Sequence, residues 1–189
     1  MKNKEEKMKK VFIDATKKVI KEKGLKAVSV REISKISGYS YANLYNYFKD
    51  IDSLLTYVAI DYLEESYKEI YSETKLTDNI REKIILASKK YFTYMFDNPS
   101  IFKIVFINDY GKEVETVSYK LIPKVTILLR ELLSKLKDDQ IIIEREVLFE
   151  LLSASIHSKL MFTIFKRSPL SKDLMLDMIE KEIKILIGE

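Results

Sequence analysis

Residues 37–55 read SGYSYANLYNYFKDIDSLL, a composition that suits neither a core helix nor a solvated one. Between Tyr39 and Phe48 stand five aromatic rings, two asparagines and no charge. A buried helix has little use for Asn43 and Asn46, and a water-facing helix has little use for so many rings. Both together suit a helix that packs on its own domain and also meets a large, partly dry, hydrogen-bonding surface.

Outward from this stretch the pattern is helical on both sides. Ser29-Val30-Arg31-Glu32 is a capping-box pattern, in which Ser29 and Glu32 satisfy each other's free backbone donors. It opens a short helix with Val30, Ile33 and Ile36 inward, which Gly38 ends. Ser40 caps a second short helix with Leu44 and Phe48 four apart on its inner face, and Asp50 caps a longer one running through Leu54, Leu55, Val58, Tyr62, Leu63, Tyr67 and Ile70. Upstream, Val11, Phe12, Ala15, Val19 and Ile20 form one apolar stripe that stops at Gly24. A supporting helix followed by two short capped helices joined by a Ser-Gly-Tyr-Ser turn is a helix-turn-helix.

The rest predicts about five more helices. They run from Asp78 to Asp97, from Pro99 to about Asn108, from Glu113 to Leu136 with a kink at Pro123, from Ile141 to about Lys166, and from a Ser171 cap to near Gly188. Gly111 marks a break, and no strand alternation, repeat or low-complexity linker interrupts the series. The fold class is all-α with about nine helices. With four Gly and three Pro among 189 residues, few tight turns are available, which favours long helices.

Composition narrows the function classes. The absence of Cys removes disulfides, thiolate metal sites and cysteine nucleophiles. One His, no Cys and no glycine-rich phosphate loop leave no catalytic constellation, and neither a cofactor nor a metal is expected. The start, MKNKEEKMKK, predicts no signal peptide, and no apolar run approaches a bilayer span, so the expected setting is the cytoplasm with no membrane partner. Residues 1–60 hold 13 Lys+Arg against 7 Asp+Glu, whereas the other 129 hold 20 against 22. The basic excess therefore lies in the first third, as in an anion-binding head on a neutral body; a solvated, lysine-rich N-terminus is the plainer alternative.

The last two helices are apolar nearly all round, including Phe149, Leu152, Ile156 and Leu160 in one and Met175, Met178 and Ile179 in the other. Such helices are buried on more than one side, which predicts a partner subunit or, alternatively, the centre of a compact monomer core.

Over residues 28–50 the chain resembles the DNA-binding signature of the TetR family of transcriptional regulators. The resemblance is carried by the Arg31-Glu32-Ile33 helix start, the Ser-Gly-x-Ser turn, Leu44-Tyr45-x-Tyr47-Phe48-Lys49, and the Leu54-Leu55 that begins the fourth helix. It implies a three-helix DNA-binding head, residues 1–50, and a helical effector-binding and dimerisation domain, residues 51–189. It also implies a homodimer joined through the last two helices, a palindromic double-stranded operator, and a small-molecule effector. On that reading Leu44, Phe48 and much of Tyr45 hold the recognition helix to its domain, while Tyr41, Ala42, Asn43, Asn46 and Tyr47 face the major groove. Ser29, Ser40, the Tyr hydroxyls and Lys49 become phosphate partners. No Arg stands on the recognition helix, so an A·T-leaning half-site is expected. Ile51 departs from the pattern, since family members often carry Lys there; Lys49 and the N-terminal lysines are then the sources of charge.

Tyr91, Tyr94, Phe102, Phe106 and Tyr119, with Ser155 as a polar contributor, are the candidate effector-binding residues. His157 is a packing, interface, ligand-binding or pH-sensing residue on this reading. The expected function is a ligand-responsive repressor; the alternatives are an activator and a helical interaction module without sequence-specific DNA binding.

Overall fold

The computed structural model describes residues 2–107, 123–137 and 143–188. Among them are nine α-helices and no strand. They are α1 (Lys2–Lys23), α2 (Val30–Ser37), α3 (Tyr41–Tyr45), α4 (Ile51–Glu73), α5 (Ile80–Asp97), α6 (Pro99–Phe106), α7 (Lys124–Ser134), α8 (Arg145–Ile164) and α9 (Lys172–Leu186), with a 3-10 turn at Leu25–Ala27 after α1.

The punctuation comes from a few residues. Gly24 (φ 82°) and Gly38 (φ 77°) stop α1 and α2 in the left-handed region, where an L side chain is strained. The Ser29 hydroxyl accepts from the Glu32 amide at 3.4 Å, and Asp50 accepts from the Ser53 amide at 2.7 Å. The return half of the predicted capping box does not form, because the Glu32 carboxylate pairs with Lys23 at the end of α1. That cation holds the Glu32 carboxyl below its ordinary range.

Three predicted boundaries move. α5 starts at Ile80, because Asn79, and not Asp78, caps it by accepting from the Arg81 and Glu82 amides. The predicted start at Glu113 lies outside the described residues, and α7 begins at Lys124 after Pro123, whose ψ of 141° is extended. The predicted start at Ile141 lies outside the described residues, and α8 begins at Arg145. The Arg145 guanidinium reaches back to the Leu133 and Leu136 carbonyls at 3.3 and 2.7 Å, satisfying the open end of α7.

The chain divides into two compact units. The first contains residues 2–62 and 100–107, so it includes the first half of α4 and most of α6. Its core holds Phe12, Val19, Ile33, Leu44, Phe48, Leu54 and Val58, all fully or almost fully buried. Lys10 and Lys17 of α1 clamp Asp61 of α4 at 2.8 and 2.6 Å. Burial works to raise the Asp61 carboxyl, and the two lysines outweigh it, leaving the group below its ordinary range.

The second unit contains residues 63–99 and 123–188, in which α5 packs on α7, α8 and α9, with α8 also against α7 and α9. Leu148, Leu152, Ile156 and Leu160 of α8 and Met175, Ile179 and Ile183 of α9 fill its core. Lys89 and Lys184 share Glu180, and Lys159 pairs with Glu182 at 2.7 Å. By length and composition α8 is apolar enough to cross a membrane, yet four of its residues are core positions of a helical unit and its Lys159 is ion-paired across to α9.

Candidate nucleic-acid interface and effector region

Phe12 is the pivot of the head. Its ring meets Tyr39, Tyr47 and Phe48 with centroids 5.9, 6.1 and 6.3 Å apart, and Phe48 meets Tyr57 at 5.5 Å. α1 therefore grips residues on both sides of α3, while Leu44 plugs the helix into the core. Ser40 starts α3 by accepting from the Asn43 amide at 3.4 Å. The helix is a turn and a half, and the Tyr47 and Phe48 amides still donate to the Leu44 carbonyl.

This geometry reassigns two tyrosines. Tyr45, expected to help hold the helix, is 50% exposed, and Tyr47, expected to face outward, lies half-buried against Phe12. The reason is the phase of α3: with Leu44 inward and Phe48 four residues on, Tyr45 rotates out and Tyr47 comes back alongside Phe48. Of the other candidate DNA-binding residues, Ser29, Ser40, Tyr41, Ala42, Asn46 and Lys49 are exposed and Asn43 is half-buried. The hydroxyls of Ser29 and Ser40 already serve as caps, so their helix-start amides are organised for an anion beside them.

The effector candidates belong to both units. Phe102 and Phe106 are in the first unit with rings 5.2 Å apart, Phe102 buried and Phe106 exposed. Tyr91, Tyr94 and Ser155 are in the second, and Tyr119 lies outside the described residues. Ser155 is occupied: it donates to Glu182 and accepts from Lys159 at 2.6 Å. Spacing hid a better polar pair. Tyr91 and His157, 66 residues apart, meet across α5 and α8 at 2.8 Å between the hydroxyl and Nε2. Burial lowers the His157 pKa and raises that of Tyr91, so both groups are neutral near pH 7. One turn before Tyr91, the Ser88 hydroxyl is buried without a partner among the described residues. The described residues hold no group of three candidate metal ligands.

The residues chosen for a dimer interface are mostly interior. Leu152, Ile156, Leu160, Met175 and Ile179 are 4% exposed or less within one chain, so they have no surface to offer a partner; Phe149 and Met178 are half-buried. The exposed apolar side chains of α8 are Val147, Leu151, Met161 and Phe162 instead. Leu or Ile at every fourth position from 148 to 160 marks the inner row, which an all-round apolar pattern conceals.

Residues 12–58 match the family model described as bacterial regulatory proteins, tetR family. No curated protein matches the chain by sequence. Among solved structures, the fatty acid degradation regulator FadR from Bacillus halodurans is similar, with 16% identity, TM-score 0.73 and 93% of each chain covered. FadR from Bacillus subtilis, solved with stearoyl-CoA, gives 15% identity and TM-score 0.74 over 95% of this chain and 98% of that one. RolR, solved with resorcinol, gives 14% and 0.75 over 100% and 91%. At such identities the likeness shows the fold, and the sequence match shows the head. A helix-turn-helix gripped by its own first helix, matched over residues 12–58, gives this chain the DNA-binding head of the tetR-family regulatory proteins.

Proposed function

We propose that this protein is a ligand-responsive repressor of the cytoplasm, which binds a palindromic operator as a homodimer and leaves it when a small-molecule effector binds. The observation that carries the proposal is the outer surface of the head: Tyr41, Ala42, Tyr45 and Asn46 are exposed, uncharged, and mounted on a helix fixed by Leu44 and Phe48. A solvated surface would carry charge there, and a core would not carry Asn46. The outer face of α8, with Leu151 and Phe162 about half exposed, supplies an apolar surface for a second copy. Two heads about 34–36 Å apart would fill successive major grooves.

Effector binding is assigned to the second unit, where Tyr91 and His157 provide a neutral hydrogen-bonding pair. Relatives of the same fold were solved with stearoyl-CoA and with resorcinol, which makes a long-chain acyl-CoA and a small phenol the first probes. An effector that prefers spread heads weakens DNA binding, and by linkage the operator weakens effector binding by the same factor.

Selection of bound sequences from a random duplex pool, with purified full chain at near-physiological salt, tests the core of this reading. A palindrome bound by two chains supports it. Binding that is steeply salt-dependent but blind to sequence would favour the interaction module, as Ile51 at the start of α4 does. Equal probe affinities with and without operator would sink the coupling.

A further inference from the structure

We infer that the head reads its half-site chiefly through thymine 5-methyl groups and one adenine, with Asn46 as the adenine reader and Tyr41, Ala42 and Tyr45 as the methyl-facing surface. This rests on the DNA-binding reading above and adds the chemistry of the sequence that is read.

Each base offers a different demand in the major groove. Guanine presents two acceptors and is met by Arg or Lys, cytosine presents an amine and is met by a carboxylate, adenine presents a donor beside an acceptor, and thymine alone presents a methyl. From Ile36 to Phe48 no residue is charged, so neither the guanine reader nor the cytosine reader is present on α3 or its turn. What remains is an amide and a set of apolar or aromatic edges.

The structure then reduces the candidates. Tyr47 is spent on Phe12, and Asn43 is half-buried. Tyr41 is 51% exposed, Tyr45 is 50% exposed, and Ala42 and Asn46 are also exposed. Asn46 closes α3 with its backbone fixed: its amide donates to the Asn43 and Leu44 carbonyls, and φ −71°, ψ −19° keeps it helical. Asn46 is exposed and its carboxamide makes no hydrogen bond among the described residues, so its paired donor and acceptor are open to adenine N6 and N7. The tyrosine rings, at the first and last positions of the same short helix, offer edges to methyls and hydroxyls to the sugar-phosphate rim.

The sequence selected from the random pool is the first readout, and an A·T-rich half-site is expected. Replacing thymine by uracil in that site removes methyls and no hydrogen-bonding group. Affinity should then fall about fourfold for each methyl the protein covers. Asn46→Ala should erase the preference at one base pair per half-site, a loss of about tenfold, and Asn46→Arg should move that preference toward guanine. Asn46 is exposed, so unchanged thermal melting of both variants is the folding control. A G·C-rich half-site, or indifference to uracil, overturns this inference while leaving a DNA-reading head. No enriched sequence at all overturns the DNA-binding reading with it.

Discussion

The head and α8 each expose apolar side chains, and the two surfaces differ in what lies at their tips. On the head the exposed rings are tyrosines beside an asparagine, so every large apolar face ends in a hydrogen-bonding group. On α8 the exposed set is Val147, Leu151, Met161 and Phe162, with no polar atom among the four side chains. The first surface suits a wet, hydrogen-bonding partner such as a DNA groove, and the second suits a dry one such as its own copy. Exposure alone does not distinguish these uses. The polar tip does.

The largest effects should come from breaking the inner row beside each surface. Leu44→Ala in the head and Leu152→Ala in α8 remove fully buried leucines and should each cost about 2–5 kcal/mol of stability by denaturant titration. Their exposed neighbours behave differently on this reading. Tyr45→Ala, and Leu151→Ala at dilutions where the chain is monomeric, should stay within about 1 kcal/mol of the parent. A Leu151 loss as large as that of Leu152 would mean the outer face of α8 is already covered within one chain.

Next in size is association. Phe162, 55% exposed, is the most exposed ring of α8, and Phe162→Arg should weaken self-association by about 2 kcal/mol, near thirtyfold. Sedimentation across a concentration range reads this directly. An unchanged dimer constant would move the interface away from α8.

The two regions were also unequally legible from sequence. In the head, caps, stops and inward residues are local: Ser29, Gly38, Ser40, Leu44 and Asp50 each act within four residues, and each is where the pattern put it. The error there was one of phase, with Tyr45 and Tyr47 exchanged, because a helix of a turn and a half leaves few positions to fix its rotation. In the second unit the informative contacts are distant. Tyr91 finds His157 66 residues away, and Ser155 is taken by a glutamate on another helix. A helix that is apolar all round gives no phase, so the pattern does not separate the inner row of α8, Leu148, Leu152, Ile156 and Leu160, from its outer face.

A smaller effect separates the units by pH. Burial lowers the His157 pKa, so below its ordinary value of 6.5 the unfolded chain takes up a proton that the folded chain resists. Stability of the second unit should be complete above pH 6.5 and decline as pH falls below it. His157→Gln, which keeps a hydrogen-bonding group for Tyr91, should flatten that decline, followed by thermal melting between pH 7.5 and about 5. Glu180, held down to about 2 by Lys184 and Lys89, keeps its contribution until pH drops below 4.5, so its loss sets in at lower pH than that of His157. A His157→Gln profile parallel to the parent would assign the decline to other groups.

The smallest effect concerns how each region stops a helix. The head uses Gly24 and Gly38 at its left-handed positions, whereas α8 ends with Lys166 at φ 55°. The hydrogen bonds there form the usual left-handed stop, from Arg167 to the Phe162 carbonyl at 2.7 Å and from Lys166 to the Thr163 carbonyl at 2.9 Å. A lysine in that conformation costs about 1–2 kcal/mol that glycine would not, because its Cβ crowds the following carbonyl. Glycine in turn loosens the unfolded chain by about 0.4–1 kcal/mol, which offsets part of the gain. Lys166→Gly should therefore stabilise by about 0.5–1 kcal/mol, a rise of roughly 1–4 °C in Tm for a chain of this size. The exposed Lys166 makes no ion pair among the described residues, so little else is lost with it. A lower Tm would show that the lysine side chain has a stabilising contact in the assembled protein, most simply across the dimer that the neighbouring Phe162 is assigned to hold.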